Sequence, residues 1–145
     1  MNAKDYLGQA FRLDQRINSK LEQVASLNDL ATKCASTLTG MPRNPNRNTS
    51  MVADSVAKIV DLQAEINRDI DMLVDLKCDM VRIIKSVDNA EYQTLLELRY
   101  LCFKSWEQIA CDLNYSVSWV LKIHRKALRA VDAVMIGKEQ KNGLA

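Results

Sequence analysis

Turn formers and strand formers are scarce in this chain: it has 4 glycines and 2 prolines, and aromatic residues make up only 6% of it. β-Rich folds draw heavily on those residues, so their scarcity points to an all-α protein. The four cysteines, Cys34, Cys78, Cys102 and Cys111, include no CxxC pair, and the single histidine, His124, has no second ligand at metal-binding spacing. They are expected to be structural or incidental thiols, with no metal site. No run approaches the roughly 18 unbroken apolar residues of a membrane helix. The start, MNAKDYLGQAFRLDQR, carries charges where a signal peptide needs an apolar core. The expected location is the cytoplasm, with no membrane contact. A Gly-rich phosphate loop and a clustered nucleophile–base set are also missing, so neither enzyme activity nor a cofactor is expected.

What is present is helical in character. Hydrophobic residues make up 48% and charged residues 26% of 145 positions, enough for one small domain with a long helical extension. The net charge of +2 conceals a gradient: residues 1–94 hold 12 basic and 13 acidic side chains, residues 95–145 hold 8 and 5. The cationic excess in the last third is a modest electrostatic footprint for nucleic acid.

That last third, ELRYLCFKSWEQIACDLNYSVSWVLKIHRKALR from Glu97 to Arg129, reads as two short-spaced helices. Ile109, Ala110 and Leu113 form the seam of the first, and Val120, Ile123 and Ala127 that of the second. Only Asn114, Tyr115 and Ser116 separate them, the spacing of a helix-turn-helix. Ser105 and Gln108 fit a capping box, Asn114 tolerates the left-handed backbone the turn needs, and Ser116 is a good N-cap. With the seam turned inward, Val117, Ser118, Leu121, Lys122 and Arg125 face outward with Trp119 at their edge. Lys122 and Arg125 can donate to guanine edges or phosphates, Ser118 can do either, and Val117 and Leu121 can touch thymine methyls. Lys126 and Arg129, a turn further on, are placed for phosphate. Trp119 and Leu121 serve equally well as a protein contact.

The residues LeuArgTyr at 98–100, TrpGluGlnIleAla at 106–110, the Leu-Asn-x-Ser turn at 113–116 and AlaLeuArg at 127–129 resemble region 4 of bacterial sigma factors. The whole chain is similar to small sigma-like regulators of phages and prophages, of the ArpU late-activator kind. The resemblance implies a phage or prophage transcription activator that binds double-stranded DNA and engages RNA polymerase. Val117, Ser118 and Trp119 stand where that family typically carries charged residues.

Earlier in the chain, Ala10, Leu13, Ile17, Leu21, Val24, Leu27, Ala31, Cys34 and Leu38 repeat at threes and fours, predicting a helix over 3–39 with a narrow coiled-coil seam. Gly40 at a C-cap position opens an exposed connector to Thr49, and Asn48, Thr49 or Ser50 is expected to cap the next helix. From Met51 to Val87 the heptad is Val52, Ile59, Ile66, Leu73, Met80 and Val87, with Val56, Ile70 and Ile84 four residues after their neighbours. Leu62, Leu76 and Ile83 widen the stripe on one side, and Val60, Val74 and Val81 on the other. Two helices of similar length fold most economically as an antiparallel hairpin. The surplus apolar surface must meet either the C-terminal helices or a second copy. Asp71, Asp75 and Asp79, with Asp69, read as a solvated outer face.

The expected architecture is therefore all-α: a helical hairpin over 1–87, a helix-turn-helix domain over 88–137 and a frayed polar tail over 138–145. Asp88 and Glu91 are expected to box the helix Ala90–Leu101, and the second helix of the motif is expected to stop at Gly137. The function expected is a sequence-specific DNA-binding transcription regulator that forms homo-oligomers, in the first place dimers. A phage DNA-packaging protein of the small-terminase kind and a coiled-coil adaptor that binds protein remain open.

Overall fold

The computed structural model describes residues 1–37 and 45–143, and the side chains of residues 1–33 and 50–143. Within them the fold is all-α, as expected. Helix α1 spans Ala3–Thr37 and α2 spans Pro45–Lys85. Helix α3 (Ala90–Leu96) runs directly into a π-helical turn (Glu97–Leu101), followed by α4 (Trp106–Leu113) and α5 (Val117–Gly143). The chain divides into two compact units, one of Leu13–Met72 and one of Met1–Arg12 with Leu73–Ala145. No described helix is long and apolar enough to cross a membrane.

In the unit of residues 13–72, α1 and α2 pack along heptad seams. Covered positions on α2 fall at Val52, Ser55, Ile59, Leu62, Ile66 and Asp69, and on α1 at Leu13, Ile17, Lys20, Val24, Leu27 and Ala31. Lys20 Nζ lies 2.6 Å from Asp69 and 3.4 Å from Glu65, while Gln23 and Leu27 share a shallow groove with Lys58, Asp61 and Leu62. Rising numbers on α1 meet falling numbers on α2, so the pair is antiparallel.

Three expectations are corrected here. Leu21 is exposed, and Lys20 occupies the seam in its stead. Val56 and Ile70 are exposed too, because the alternate seam positions lie three residues after Val52 and Ile66, at Ser55 and Asp69. Asp69 is therefore a buried seam residue, unlike the exposed Asp71, Asp75 and Asp79. In each case a polar residue holds a seam position that residue type alone assigns to the surface. Helix α2 also starts at Pro45, ahead of the expected caps at Asn48 to Ser50. Proline suits a first helical position, where its φ is preset and no N–H is needed. The Gly40 C-cap and the connector as far as residue 44 lie outside the described residues.

In the other unit, the first turns of α1 pack with the C-terminal helices. Asn2 caps α1 by accepting the Asp5 N–H at 2.8 Å, and Asp132 Oδ1 on α5 accepts the Ala3 N–H at 2.7 Å. Ala3, Leu7 and Ala10 are buried among Met80, Ile84, Val87, Leu96, Tyr100, Ala127 and Val131. The units consequently do not part at residue 87, since both the end of α2 and residues 3–10 bury their apolar sides against α5. Asn89 caps α3, accepting from the Glu91 and Tyr92 N–H groups, so the expected Asp88–Glu91 box is displaced by one residue. Helix α5 passes through Gly137 and continues to Gly143, so residues 138–143 of the expected tail are helical. Half-buried Val134 and Met135 anchor it and the following Lys, Glu and Gln favour helix, which together outweigh the roughly 1 kcal/mol that glycine costs.

Candidate nucleic-acid interface

Local chemistry builds the helix-turn-helix as read from the sequence. Ser105 Oγ accepts the Gln108 N–H at 3.3 Å, and Gln108 Oε1 accepts the Ser105 N–H at 3.0 Å. Asn114 closes α4 with φ 57° and ψ 42°, in the left-handed region, and its N–H returns to the carbonyls of Ala110 and Cys111. Ser116 caps α5, its Oγ accepting the Trp119 N–H at 3.2 Å. Ile109, Ala110, Val120 and Ile123 are buried together with Leu95 of α3, which makes α3 the third support of the motif.

The approach to α4 is less regular. The Cys102 N–H donates to Glu97 O at 3.0 Å and the Lys104 N–H to Leu98 O at 3.1 Å, a widened helical end. Phe103 then takes φ 57°, a rare conformation for an aromatic residue. Packing on the Phe11 ring at 5.7 Å, with Lys77 Nζ 4.7 Å from its own ring, holds it there. The Arg99 guanidinium sits 4.2 Å over the Trp106 ring and donates to Lys104 O at 2.9 Å, and Trp106 meets His124 edge-on at 4.5 Å. His124 is buried, and its Nε2 lies 2.6 Å from the Tyr100 hydroxyl. Burial, reinforced by the charges of Arg99, Lys4 and Arg125, lowers its pKa to about 4, and burial raises that of Tyr100 to about 12. His124 is thus an uncharged packing residue at neutral pH.

The outward side of α5 carries most of the expected residues. Val117, Ser118, Trp119, Lys122, Arg125, Lys126 and Arg129 are all exposed, while Val120, Ile123 and Ala127 are buried. Among the described residues, none of the cations Lys122, Arg125, Lys126 and Arg129 forms a salt bridge. Ser118, Lys122, Arg125 and Arg129 follow one another at fours and threes, hence along one side of the helix. Leu121 departs from expectation. It is half-buried and lines a cleft of about 480 Å³ with Trp106, His124, Phe11 and Arg12, so it is turned aside from a groove. Tyr115, missed in the sequence reading, packs edge-on against Trp119 at 6.5 Å, and the two form an exposed apolar patch at the start of α5. Its place in the turn was the available signal.

Cys78, Cys102 and Cys111 are free thiols. Among the described residues no group of three or more His, Cys, Asp or Glu side chains converges as metal ligands.

Residues 47–132 match the family described as Protein of unknown function (DUF1492), a span from the first turn of α2 into α5. No curated protein and no solved structure matches the chain. Because the family match takes in more than half of the chain, the protein belongs to the DUF1492 family.

Proposed function

We propose that this protein is a sequence-specific DNA-binding transcription regulator, with α5 as the helix that enters the major groove. The observation that carries the reading is the arrangement of α5. Lys122, Arg125 and Arg129 stand on the side opposite a buried seam with Lys126 at its flank, none of them in a salt bridge among the described residues, behind an N-cap that presents the first turns outward. A helix so presented fits the groove, and its cations replace the counterions that phosphates release. The likeness to sigma region 4 at residues 98–129 supports a sigma-like phage or prophage activator, with RNA polymerase as a partner and the α1–α2 hairpin as its means of self-association.

Selection of binding sites from a random duplex pool tests this. Lys122 and Arg125 lie nearest the N-cap end, where a recognition helix approaches base edges. Lys122→Ala or Arg125→Ala should cost about 1–3 kcal/mol on the best site and relax one position. Arg129→Ala should weaken all sequences alike. If no motif emerges from the wild type, the reading fails.

A second reading rests on the exposed patch of Tyr115 and Trp119, which suits a protein partner. On that reading the chain is an adaptor, and duplex DNA does not compete for the patch.

A further inference from the structure

Helix α2 carries two heptad seams, and its hairpin with α1 uses one. The covered series passes through Val52, Ile59 and Ile66. One residue on, about 100° round the helix, lies a second series at the same alternation of threes and fours: Ala53, Val56, Val60, Gln63, Asn67 and Ile70. All six are exposed, with Val56 at 49%, Val60 at 57% and Ile70 at 41%. Isolated exposed apolar residues are ordinary on a protein surface, but a row in heptad register is the pattern of a helix that packs against another helix.

We propose that this second seam is where two copies of the chain pair, α2 on α2, in parallel about a two-fold axis. The inference rests on the self-association suggested above and gives it a surface. Self-pairing follows from how the six residues match. In parallel register Val60 meets Val60, Gln63 meets Gln63, Asn67 meets Asn67 and Ile70 meets Ile70, so polar layers stack on polar and apolar on apolar. Antiparallel pairing about the middle of the row sets Asn67 against Val56 and Gln63 against Val60, and leaves amides facing apolar side chains. Heptad position a is then held by Ala53, Val60 and Asn67. A β-branched residue there favours two strands, and a single asparagine there fixes register and dimeric state at some cost in strength.

No charged side chain lies among the six, so pairing brings no like charges face to face. Exposed Ala57 and Ala64 flank the row and let the backbones approach. The row and its flanks offer on the order of 500 Å² per copy, about 1,000 Å² in all, at the lower edge of specific interfaces. A dimer with a dissociation constant in the micromolar range is expected.

Sedimentation of the full chain, without DNA, over about 1 to 200 μM brackets that range. The expected result is a monomer–dimer equilibrium, shifted at least tenfold toward monomer by Val60→Glu and left with unchanged helicity because the position is exposed. A wild-type chain that stays monomeric overturns both self-association and its surface, and a dimer indifferent to Val60→Glu overturns the surface alone. Neither result bears on DNA binding, which the site selection decides. Orientation is read by oxidation of variants whose native cysteines are changed to serine. Parallel pairing predicts that Asn67→Cys cross-links to itself. Cross-linking only when Asn67→Cys is mixed with Val56→Cys would overturn the parallel arrangement.

Discussion

His124 is the one histidine of the chain, so its titration is readable without ambiguity. Folded, its pKa is about 4, against 6.5 for the free side chain. Between those values the unfolded chain holds a proton that the folded chain refuses. Stability is therefore full above about pH 6.5, falls as the pH drops toward 4, and levels off below, losing on the order of 3 kcal/mol from this group alone. Urea unfolding at pH 7 and pH 5 should show the loss in the wild type, and His124→Gln should remove that part of it. An equal loss in both proteins would place the titrating group elsewhere. A neutral His124 also means that α5 keeps the same charge from pH 5.5 to 8, so DNA affinity should not vary over that range on its account. The residue-scale signals that were legible are those confined to a few positions, as at Ser105, Asn114 and Ser116. The Tyr100–His124 contact was not, because its partners come from separate helices and neither type demands the other.

At the scale of helices, the Lys20–Asp69 pair fixes how α1 and α2 align. Sliding one helix by a heptad would set Lys20 against Leu62 or Leu76 and strand both charges in an apolar seam. Lys20→Met should lower the melting temperature by several degrees, because buried Asp69 is left without its partner, and Asp69→Leu by less, because Lys20 keeps Glu65 at 3.4 Å. The double replacement should melt at or above the wild type, since apolar residues of similar size pack without that penalty. A double variant as unstable as the singles would mean that the pair matters for something other than its charges. The same pair explains what hid half of the seam. Val56 and Ile70 have the right residue type and the wrong angle, whereas Ser55, Lys20 and Asp69 have the right angle and a polar type. Periodicity weighs type as a proxy for burial, and it fails where a buried ion pair substitutes for apolar contact. Helix ends suffered similarly at Gly137, where a stop signal of about 1 kcal/mol meets a favourable helical context.

For the molecule as a whole, the charge gradient bears on binding strength. With four to six phosphates engaged, log affinity for duplex DNA should fall against log salt with a slope of about −4 to −5. A flat response would favour the adaptor that uses Tyr115 and Trp119. The all-α class was legible because it follows from what the chain has little of, a property of the sum and not of any position. The partition into units was not legible, because it turns on residues 3–10 joining the end of α2 and, more than a hundred positions away, α5.

That joining also governs how the unit is assembled. The cluster of Leu95, Ile109, Ala110, Val120 and Ile123 is made of near neighbours in sequence, and its contacts form after closing short loops. The bond from the Ala3 N–H to Asp132 spans 129 residues, and closing so long a separation is slow. A ribosome must have made Asp132 before the cluster around Ala3, Leu7 and Ala10 can be completed by α5. In the meantime that face of α1 has only part of its cover, so synthesis order makes the earliest part of this unit among the last to be completed.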